Sequence, residues 1–153
     1  MHAIDEYDKK LLRLLQQNNR LTTEELSAKV SLSQSAVRRR ITKLRNERII
    51  EADVSIISAS AIGMAITCIV DVVLHEGSSK DIEKFKQAMC NCTEVAHCYY
   101  VTGTYDFVLM VNARDMSHFE TFLKKQLMDN ANLKHFYTHV VMDKVKAGYG
   151  VVV

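Results

Sequence analysis

The sequence predicts an α+β protein that consists of a small helical domain and a larger domain of strands and helices. Up to Arg48, apolar residues recur at intervals of three and four, which is the spacing of one helical face. At Ile49 this spacing ends, and strand-like segments then alternate with helical ones. A chain of 153 residues accommodates two small domains. We expect them to span residues 1–50 and 66–153, with a linker strand and connector over residues 51–65.

The N-terminal part of the chain is predicted to contain three helices. The first covers residues 4–18, and its apolar face comprises Ile4, Tyr7, Leu11, Leu14 and Leu15. At the start of the second helix, Thr22 and Glu25 fit a capping box. After a short turn, Ser33 is placed to cap a third helix over residues 33–48. The order of helix, helix, short turn and helix is that of a helix-turn-helix motif.

The third helix is rich in arginine outside a narrow apolar stripe formed by Val37, Ile41 and Leu44. Basic side chains neutralise phosphates, and polar side chains near a helix start reach base edges in the major groove. We therefore expect Arg40 and Lys43 to contact phosphates, and Ser35 with Arg39 to read base edges. The candidate DNA-binding residues are Ser33, Gln34, Ser35, Arg38, Arg39, Arg40, Thr42 and Lys43. The alternative is a surface helix whose arginines are simply solvated.

The charge distribution supports binding of a polyanion by the first domain. Residues 1–50 carry eleven Lys or Arg against six Asp or Glu, whereas the remaining residues carry nine against twelve. A whole chain with a formal charge of only +2 therefore combines a basic part with an acidic one. Such asymmetry indicates a nucleic-acid-binding segment joined to a domain with another task, and the expected partner is double-stranded DNA.

The second domain is predicted to follow the order strand, helix, strand, strand, helix, strand, which is the ferredoxin-like arrangement. The strands are expected at 66–74, 95–102, 105–113 and 135–143, and the helices at 79–90 and 115–128. A strand preceding this domain is expected at 49–57. Helix caps are assigned to Ser78 with Asp81 and to Ser117 with Glu120, and Gly103 marks the central hairpin.

The predicted strands are apolar on both faces, which is unusual for a sheet covered by helices on one side. In the third ferredoxin strand, Phe107 and Leu109 share one face, yet Val108 and Met110 occupy the other. So much exposed apolar sheet is unexpected on a monomer. We therefore expect a homodimer that assembles to a tetramer or octamer, with a partner strand covering the apolar C-terminal segment 149–153.

The chain resembles the leucine-responsive and asparagine-regulator (Lrp/AsnC) family of bacterial and archaeal transcription factors over essentially its whole length. The matching positions are Asp8, Leu26-Ser27, Val30-Ser31-Leu32-Ser33, Arg40-x-x-Lys43-Leu44, Ile49-Ile50, Tyr100-Val101-Thr102-Gly103-x-x-Asp106 and Asp115-Met116. The resemblance implies a helix-turn-helix, a linker strand, and a domain that binds amino acids and assembles dimers. The sequence departs from the family pattern at Ser31 and Arg48, where glycine is common, at Gln34, where proline is common, and at Arg39, which is often not basic.

The resemblance places the effector site at the central hairpin and its flanks, on Tyr100, Thr102, Gly103, Thr104, Tyr105 and Asp106. The chemistry of these residues suits a zwitterion. Asp106 offers an acceptor for an ammonium group, and the threonine hydroxyls with the backbone N–H groups around Gly103 offer donors for a carboxylate. The alternative is structural: Gly103 forms the turn, the Asp106 side chain accepts hydrogen bonds from its backbone, and Tyr100 packs between subunits.

The remaining features favour neither a metal site nor catalysis. Cys90 and Cys92 lack the spacing of zinc ligands. Cys68 and Cys98 both lie in predicted strands, where we expect them to be buried. We expect no catalytic residues and no cofactor besides an amino-acid effector. The N-terminus does not have the pattern of a signal peptide, and no apolar run reaches the length of about 20 residues for a membrane span, so the cytoplasm is expected.

Three functions remain open at this stage. The first is a transcriptional regulator that responds to an amino acid and binds pseudo-palindromic operators as a dimer or higher assembly. The second is an architectural DNA-binding protein that senses no effector. The third is a regulatory protein that binds a small molecule and acts on an acidic protein partner through its basic helix.

Overall fold

The computed structural model describes residues 4–75, 79–148 and 150–153, and the predicted Ser78 cap lies outside these ranges. The chain divides into two compact units. The first comprises Met1–Ile56 together with Lys146–Val153, and the second comprises Ile57–Val145. The C-terminal residues thus belong to the first unit, whereas the sequence pattern placed them with the second domain.

The first unit is a helix-turn-helix in which each helix starts at a side-chain cap. Its helices are α1 (Glu6–Gln17), α2 (Thr23–Val30) and α3 (Gln34–Asn46). The capping box at Thr22 and Glu25 is confirmed, and Ser33 accepts a hydrogen bond from the Ala36 N–H (3.2 Å) as predicted. The three helices share one small core formed by Leu11, Leu26, Val30, Val37 and Ile41.

The start of α1 differs from the prediction. Asp5 is the N-cap and forms a capping box with Asp8, so the helix begins after Ile4 rather than at it. Ile4 and Tyr7 are exposed, whereas Leu12, which the sequence pattern did not assign to the apolar face, is buried. Periodicity finds a helix more reliably than it finds the first residue of that helix.

Two helices end in left-handed residues that are not glycine. Ser31 has φ 56° after α2, and Arg48 has φ 55° after α3. At the end of α3 the Ile49 N–H donates to the Leu44 carbonyl (2.9 Å) and the Arg48 N–H donates to the Arg45 carbonyl (3.0 Å), which is the Schellman arrangement. The left-handed helix end is therefore retained at a residue with a Cβ, at a steric cost.

We predict that Arg48→Gly raises the free energy of unfolding by about 1 kcal/mol, because glycine adopts positive φ without the Cβ clash. Arg48→Ala removes the same charge and keeps the Cβ, so it serves as the matched control. Urea denaturation of both variants gives the comparison. Equal stability of the glycine and alanine variants would show that the left-handed backbone carries no strain.

The predicted strand at 49–57 is wrong. Residues 49–50 are bends and residues 51–57 have no regular secondary structure, and Val54, Ile56 and Ile57 are exposed. A β-strand needs a neighbour for its ladder of hydrogen bonds, and among the described residues no strand of this chain pairs with the segment. Its β-branched composition was the basis of the prediction, but composition alone does not supply a partner strand.

The second unit is an antiparallel sheet of four strands with the order β2-β3-β1-β4. Its elements are β1 (Ile66–Leu74), α4 (Ser79–Cys90), β2 (Val95–Tyr100), β3 (Phe107–Ala113), α5 (Met116–Phe122), a π-helical continuation (Leu123–Met128) and β4 (Leu133–Val140). This confirms the predicted ferredoxin-like order. The cap predicted at Ser117 is instead Asp115, whose carboxylate accepts from the His118 N–H (2.7 Å), because the helix starts at Met116.

One face of this sheet carries the hydrophobic core. On that face the helices cover a set of fully buried side chains that includes Val70, Val72, Phe107, Leu109 and Val111. On the opposite face, Ile69, Val73, Val108 and Met110 are only partly buried. The same open face carries two polar pairs, Thr67 with Asn112 (2.9 Å) and Asp71 with His139 (3.0 Å). Both faces of the sheet therefore carry apolar side chains, as the alternation of its strands predicted, and the open face carries the polar pairs beside them.

The C-terminal segment lies against α1 rather than forming a strand. The Val151 N–H donates to Gln16 Oε1 (2.6 Å), and Arg13 Nε donates to the Val153 carbonyl (2.7 Å). Side chains of α1 thus bond to the backbone at Val151 and Val153. Cover of the segment 149–153 by a strand of a second copy stays a prediction.

Candidate nucleic-acid interface and effector site

The outer face of α3 is a continuous exposed surface lined by Gln34, Ser35, Arg38, Arg39 and Thr42. Val37, Ile41 and Leu44 are buried on the opposite side and fix the helix to the core. The structure therefore brings together five of the eight predicted DNA-binding residues on one surface. Ser33, the N-cap, and Lys43 are exposed beside it.

The cations of α3 differ in what they contact. Among the described residues, Arg38 and Arg39 form no ion pair, so their guanidinium groups point to solvent without a fixed carboxylate. Lys43 lies 4.0 Å from Glu47, and Arg45 Nε donates to Asp53 Oδ2 (2.9 Å). Arg38 and Arg39 are thus the arginines of this helix that a phosphate or a base reaches without displacing an internal acid.

Arg40 has a different position from the one expected for a phosphate contact. Its Nη1 donates to Asp5 Oδ2 (2.7 Å) and Asp8 Oδ1 (2.8 Å), and its guanidinium carbon lies 5.5 Å from the centre of the Tyr7 ring. The hydrogen bonds to Asp8 and Asp5 raise the pKa of the Arg40 guanidinium. The pKa of Asp5 is lowered, first by the Asp8 N–H and also by Arg40. We therefore reassign Arg40 to the attachment of α3 to the start of α1.

We predict that Arg40→Ala lowers the free energy of unfolding by about 2 kcal/mol, because Asp8 is only 4% exposed and loses its charged partner. Arg45→Ala is the matched control on the same helix. It breaks the exposed pair with Asp53 and should cost about 0.5 kcal/mol or less. Urea denaturation distinguishes the two variants. Equal losses would contradict a structural role for Arg40.

The predicted effector residues lie together at one end of the β2–β3 hairpin. Tyr100 ends β2, residues 102–104 form the exposed turn, and Gly103 has φ 121°. Asp106 is partly buried, and its Oδ2 accepts from the Leu74 N–H (2.8 Å). Among the described residues, no hydrogen bond reaches Asp106 Oδ1. One carboxylate oxygen is therefore used by the fold, and the other is available for an ammonium group.

An aromatic row supports Tyr100. Its ring centre lies 5.0 Å from that of Phe107, which in turn lies 4.6 Å from that of Phe85 on α4. Lys86, the next residue of α4, places its Nζ 5.0 Å from the centre of the Tyr100 ring. Sequence reasoning missed Lys86, because it belongs to another element and only the packing of α4 on β2 brings it to the hairpin.

The four cysteines differ in burial. Cys68 and Cys92 are buried and Cys98 is partly buried, and burial raises the pKa of each thiol. Within the described ranges, no group of three or more His, Cys, Asp or Glu side chains is arranged to hold a metal ion. None of the described helices is long and apolar enough to cross a membrane.

A helix-turn-helix with an exposed cationic helix, followed by a ferredoxin-like domain, defines a class of transcriptional regulators with a ligand-binding domain. The sequence-family model of the AsnC-type helix-turn-helix domain matches residues 4–45. The model of the Lrp/AsnC ligand-binding domain matches residues 67–151. The chain belongs to the Lrp/AsnC family of helix-turn-helix transcriptional regulators.

Individual relatives support this assignment over nearly the full chain. An uncharacterized HTH-type transcriptional regulator of Sinorhizobium fredii is 46% identical over 148 residues, covering 97% of this chain and 88% of the relative. The leucine-responsive regulatory protein of Escherichia coli strain K12 is 27% identical over 143 residues, covering 94% and 87%.

Solved structures show the same fold. The crystal structure of a Neisseria meningitidis transcriptional regulator in complex with L-methionine has a TM-score of 0.93 and 26% identity, covering 98% of this chain and 97% of that one. AsnC of Escherichia coli has a TM-score of 0.85 with 23% identity, covering 95% of this chain and 97% of that one. Because AsnC is only 23% identical to this chain, that similarity shows a shared fold and nothing more.

Proposed function

We propose that this protein regulates transcription by binding operator DNA through α3, and that a free amino acid bound at the β2–β3 hairpin changes this binding. The observation that carries the proposal is the juxtaposition of Tyr100, the exposed turn at 102–104 and the Asp106 carboxylate in a domain of the ligand-binding type. The methionine complex of the Neisseria meningitidis regulator supports an amino acid as the class of effector. The proposed site of action is the cytoplasm, and no catalytic step is part of the proposal.

The proposed assembly is a homodimer in which a second copy covers the open face of the sheet. Ile69, Val73, Val108 and Met110 supply the apolar part of that face. A two-fold dimer presents two copies of α3, so the operator is expected to be pseudo-palindromic, with half-sites about one helical turn or a small multiple apart. Tetramers or octamers would follow from further contacts between dimers.

The test of the proposed effector is a thermal-shift screen of the full chain against each of the twenty amino acids. An amino acid that binds only the folded protein raises the melting temperature by mass action. We expect one amino acid, or a chemically related group, to raise it, with L-methionine the first to examine. Operator binding with no response to any amino acid would instead favour the architectural function.

A further inference from the structure

Two cysteines of the second unit lie on elements that pack against each other. Cys90 is the last residue of α4, and Cys98 lies in β2. Residues 91–94 connect the end of the helix to the start of the strand. Lys86, before the end of α4, contacts Tyr100 at the end of β2. The strand therefore runs back along the helix, antiparallel to it.

The side chain of Cys98 lies on the face of the sheet that the helices cover. Cys98 pairs with Leu109 and Tyr100 pairs with Phe107 across β2 and β3, and residues paired in this way share a face. Leu109 and Phe107 are fully buried in the core beneath the helices. Cys98 itself packs against this core, to which Met89 of α4 belongs. The thiol of Cys98 therefore faces α4.

The contact between Lys86 and Tyr100 determines which residues of α4 lie over which residues of β2. The Lys86 Nζ is 5.0 Å from the centre of the Tyr100 ring. Cys90 follows Lys86 by one helical turn on the same helix face, about 6 Å further along the axis. Cys98 precedes Tyr100 on the same strand face, about 6.6 Å back along the strand. Because the two elements are antiparallel, both steps lead in the same direction and place Cys90 over Cys98.

The electrostatics of Cys98 agree with this placement. Burial and the neighbouring Cys90 raise the pKa of the Cys98 thiol, whereas Lys86 lowers it. Electrostatic interactions weaken with distance, so Cys90 and Lys86 both lie near the Cys98 sulfur. Cys90 is exposed and Cys98 is partly buried. A reagent in solution therefore reaches Cys90 first.

We propose that Cys90 and Cys98 form an oxidation-sensitive dithiol, which closes to an intramolecular disulfide by exchange with a small-molecule disulfide. The Cys90 thiolate attacks one sulfur of the reagent, forms a mixed disulfide and releases the first thiolate. The Cys98 thiolate then attacks the Cys90 sulfur and displaces the second. Each cysteine gives up one proton, and the reagent takes up the two electrons of the pair as it becomes two thiols. This site goes beyond the proposed function and does not depend on the amino acid effector.

Cys92 is close in sequence but its thiol has another partner. Its Sγ donates to Glu94 Oε2 (3.2 Å), and Glu94 Oε1 lies 3.4 Å from His118 Nε2 at the start of α5. Cys92 is also buried. Cys92→Ser keeps an O–H donor for Glu94, so it serves as the matched control for the loss of a cysteine.

The test is thiol–disulfide exchange of the reduced full chain with oxidised glutathione under native conditions. Remaining thiols are alkylated, and the chain is then cut after glutamate. Cleavage at Glu83, Glu94 and Glu120 separates Cys90 and Cys92, in peptide 84–94, from Cys98, in peptide 95–120. We expect mass spectrometry to find these two peptides joined by a disulfide, with two of the four thiols of the chain lost. The oxidised protein should migrate as a single chain on a non-reducing gel.

Three variants identify the cysteines that react. Cys90→Ser should abolish the link while keeping the melting temperature of wild type, because Cys90 is exposed. Cys98→Ser should leave glutathione attached to Cys90, and Cys92→Ser should form the link as wild type does. In wild type, a disulfide within peptide 84–94, a disulfide between two chains, glutathione that stays on Cys90, or no loss of thiols would each refute the proposal.

Discussion

Replacing both Arg38 and Arg39 by alanine should weaken operator binding about a hundredfold. Each is an exposed arginine of α3 with no ion pair among the described residues, and removing one phosphate or base interaction costs about a factor of ten. We also expect the slope of log affinity against log salt to fall by about one unit for each phosphate that the variant no longer neutralises. The measurement is fluorescence anisotropy on an operator selected from random DNA with the wild-type protein.

The control for this variant removes the same number of charges from the other unit. Lys84 lies on α4 and Lys124 on the π-helical continuation of α5, and both are exposed. Alanine at both positions leaves α3 unchanged. The control should bind operator with an affinity close to that of wild type. If both double variants lose affinity equally, net charge rather than contact by α3 explains DNA binding. Equal losses on operator and random DNA for Arg39→Ala alone would contradict a base-reading role for Arg39.

The second large effect is expected at Asp106. Asp106→Asn keeps a side-chain oxygen that accepts from the Leu74 N–H, but it removes the negative charge assigned to the effector ammonium. We predict that this variant keeps its melting temperature within a few degrees of wild type and loses amino acid affinity about tenfold or more. Calorimetry of the variant with the amino acid from the thermal-shift screen measures the loss.

Asp106→Ala serves as the comparison for the asparagine variant. Alanine also leaves the Leu74 N–H without its acceptor, which should lower the free energy of unfolding by about 1 kcal/mol or more. The two variants therefore separate the role of Asp106 in the fold from its role in binding. Wild-type amino acid affinity in Asp106→Asn would show that the carboxylate only supports the hairpin.

Elements whose signals are local in the sequence were predictable. The capping box at Thr22, the Ser33 cap and the buried stripe of α3 depend on residues within a few helical turns of each other, and all three are confirmed. The alternation of apolar residues in β1 and β3 similarly gave both strands and their two apolar faces. These patterns reflect backbone geometry, which is the same in every protein.

Features that depend on distant contacts were not predictable. The segment 49–57 has the composition of a strand, but a strand also requires a partner that this chain does not supply among its described residues. Arg40 is 32 residues from Asp8 in sequence and meets it only because α1 and α3 pack together. Lys86 reaches Tyr100 for the same reason, through the contact of α4 with β2. Periodicity places such residues on a face but does not name the residues they meet.

The most direct test of the account measures the operator affinity of the full chain, at one fixed salt concentration, with and without the amino acid found in the thermal-shift screen. Because an effector acts through its different affinities for two states, we predict that saturating amino acid changes operator affinity about fivefold or more and affinity for random DNA less. The operator should change the affinity for the amino acid by the same factor. Tight binding of the amino acid with an unchanged operator affinity would contradict the coupling that defines the proposed function.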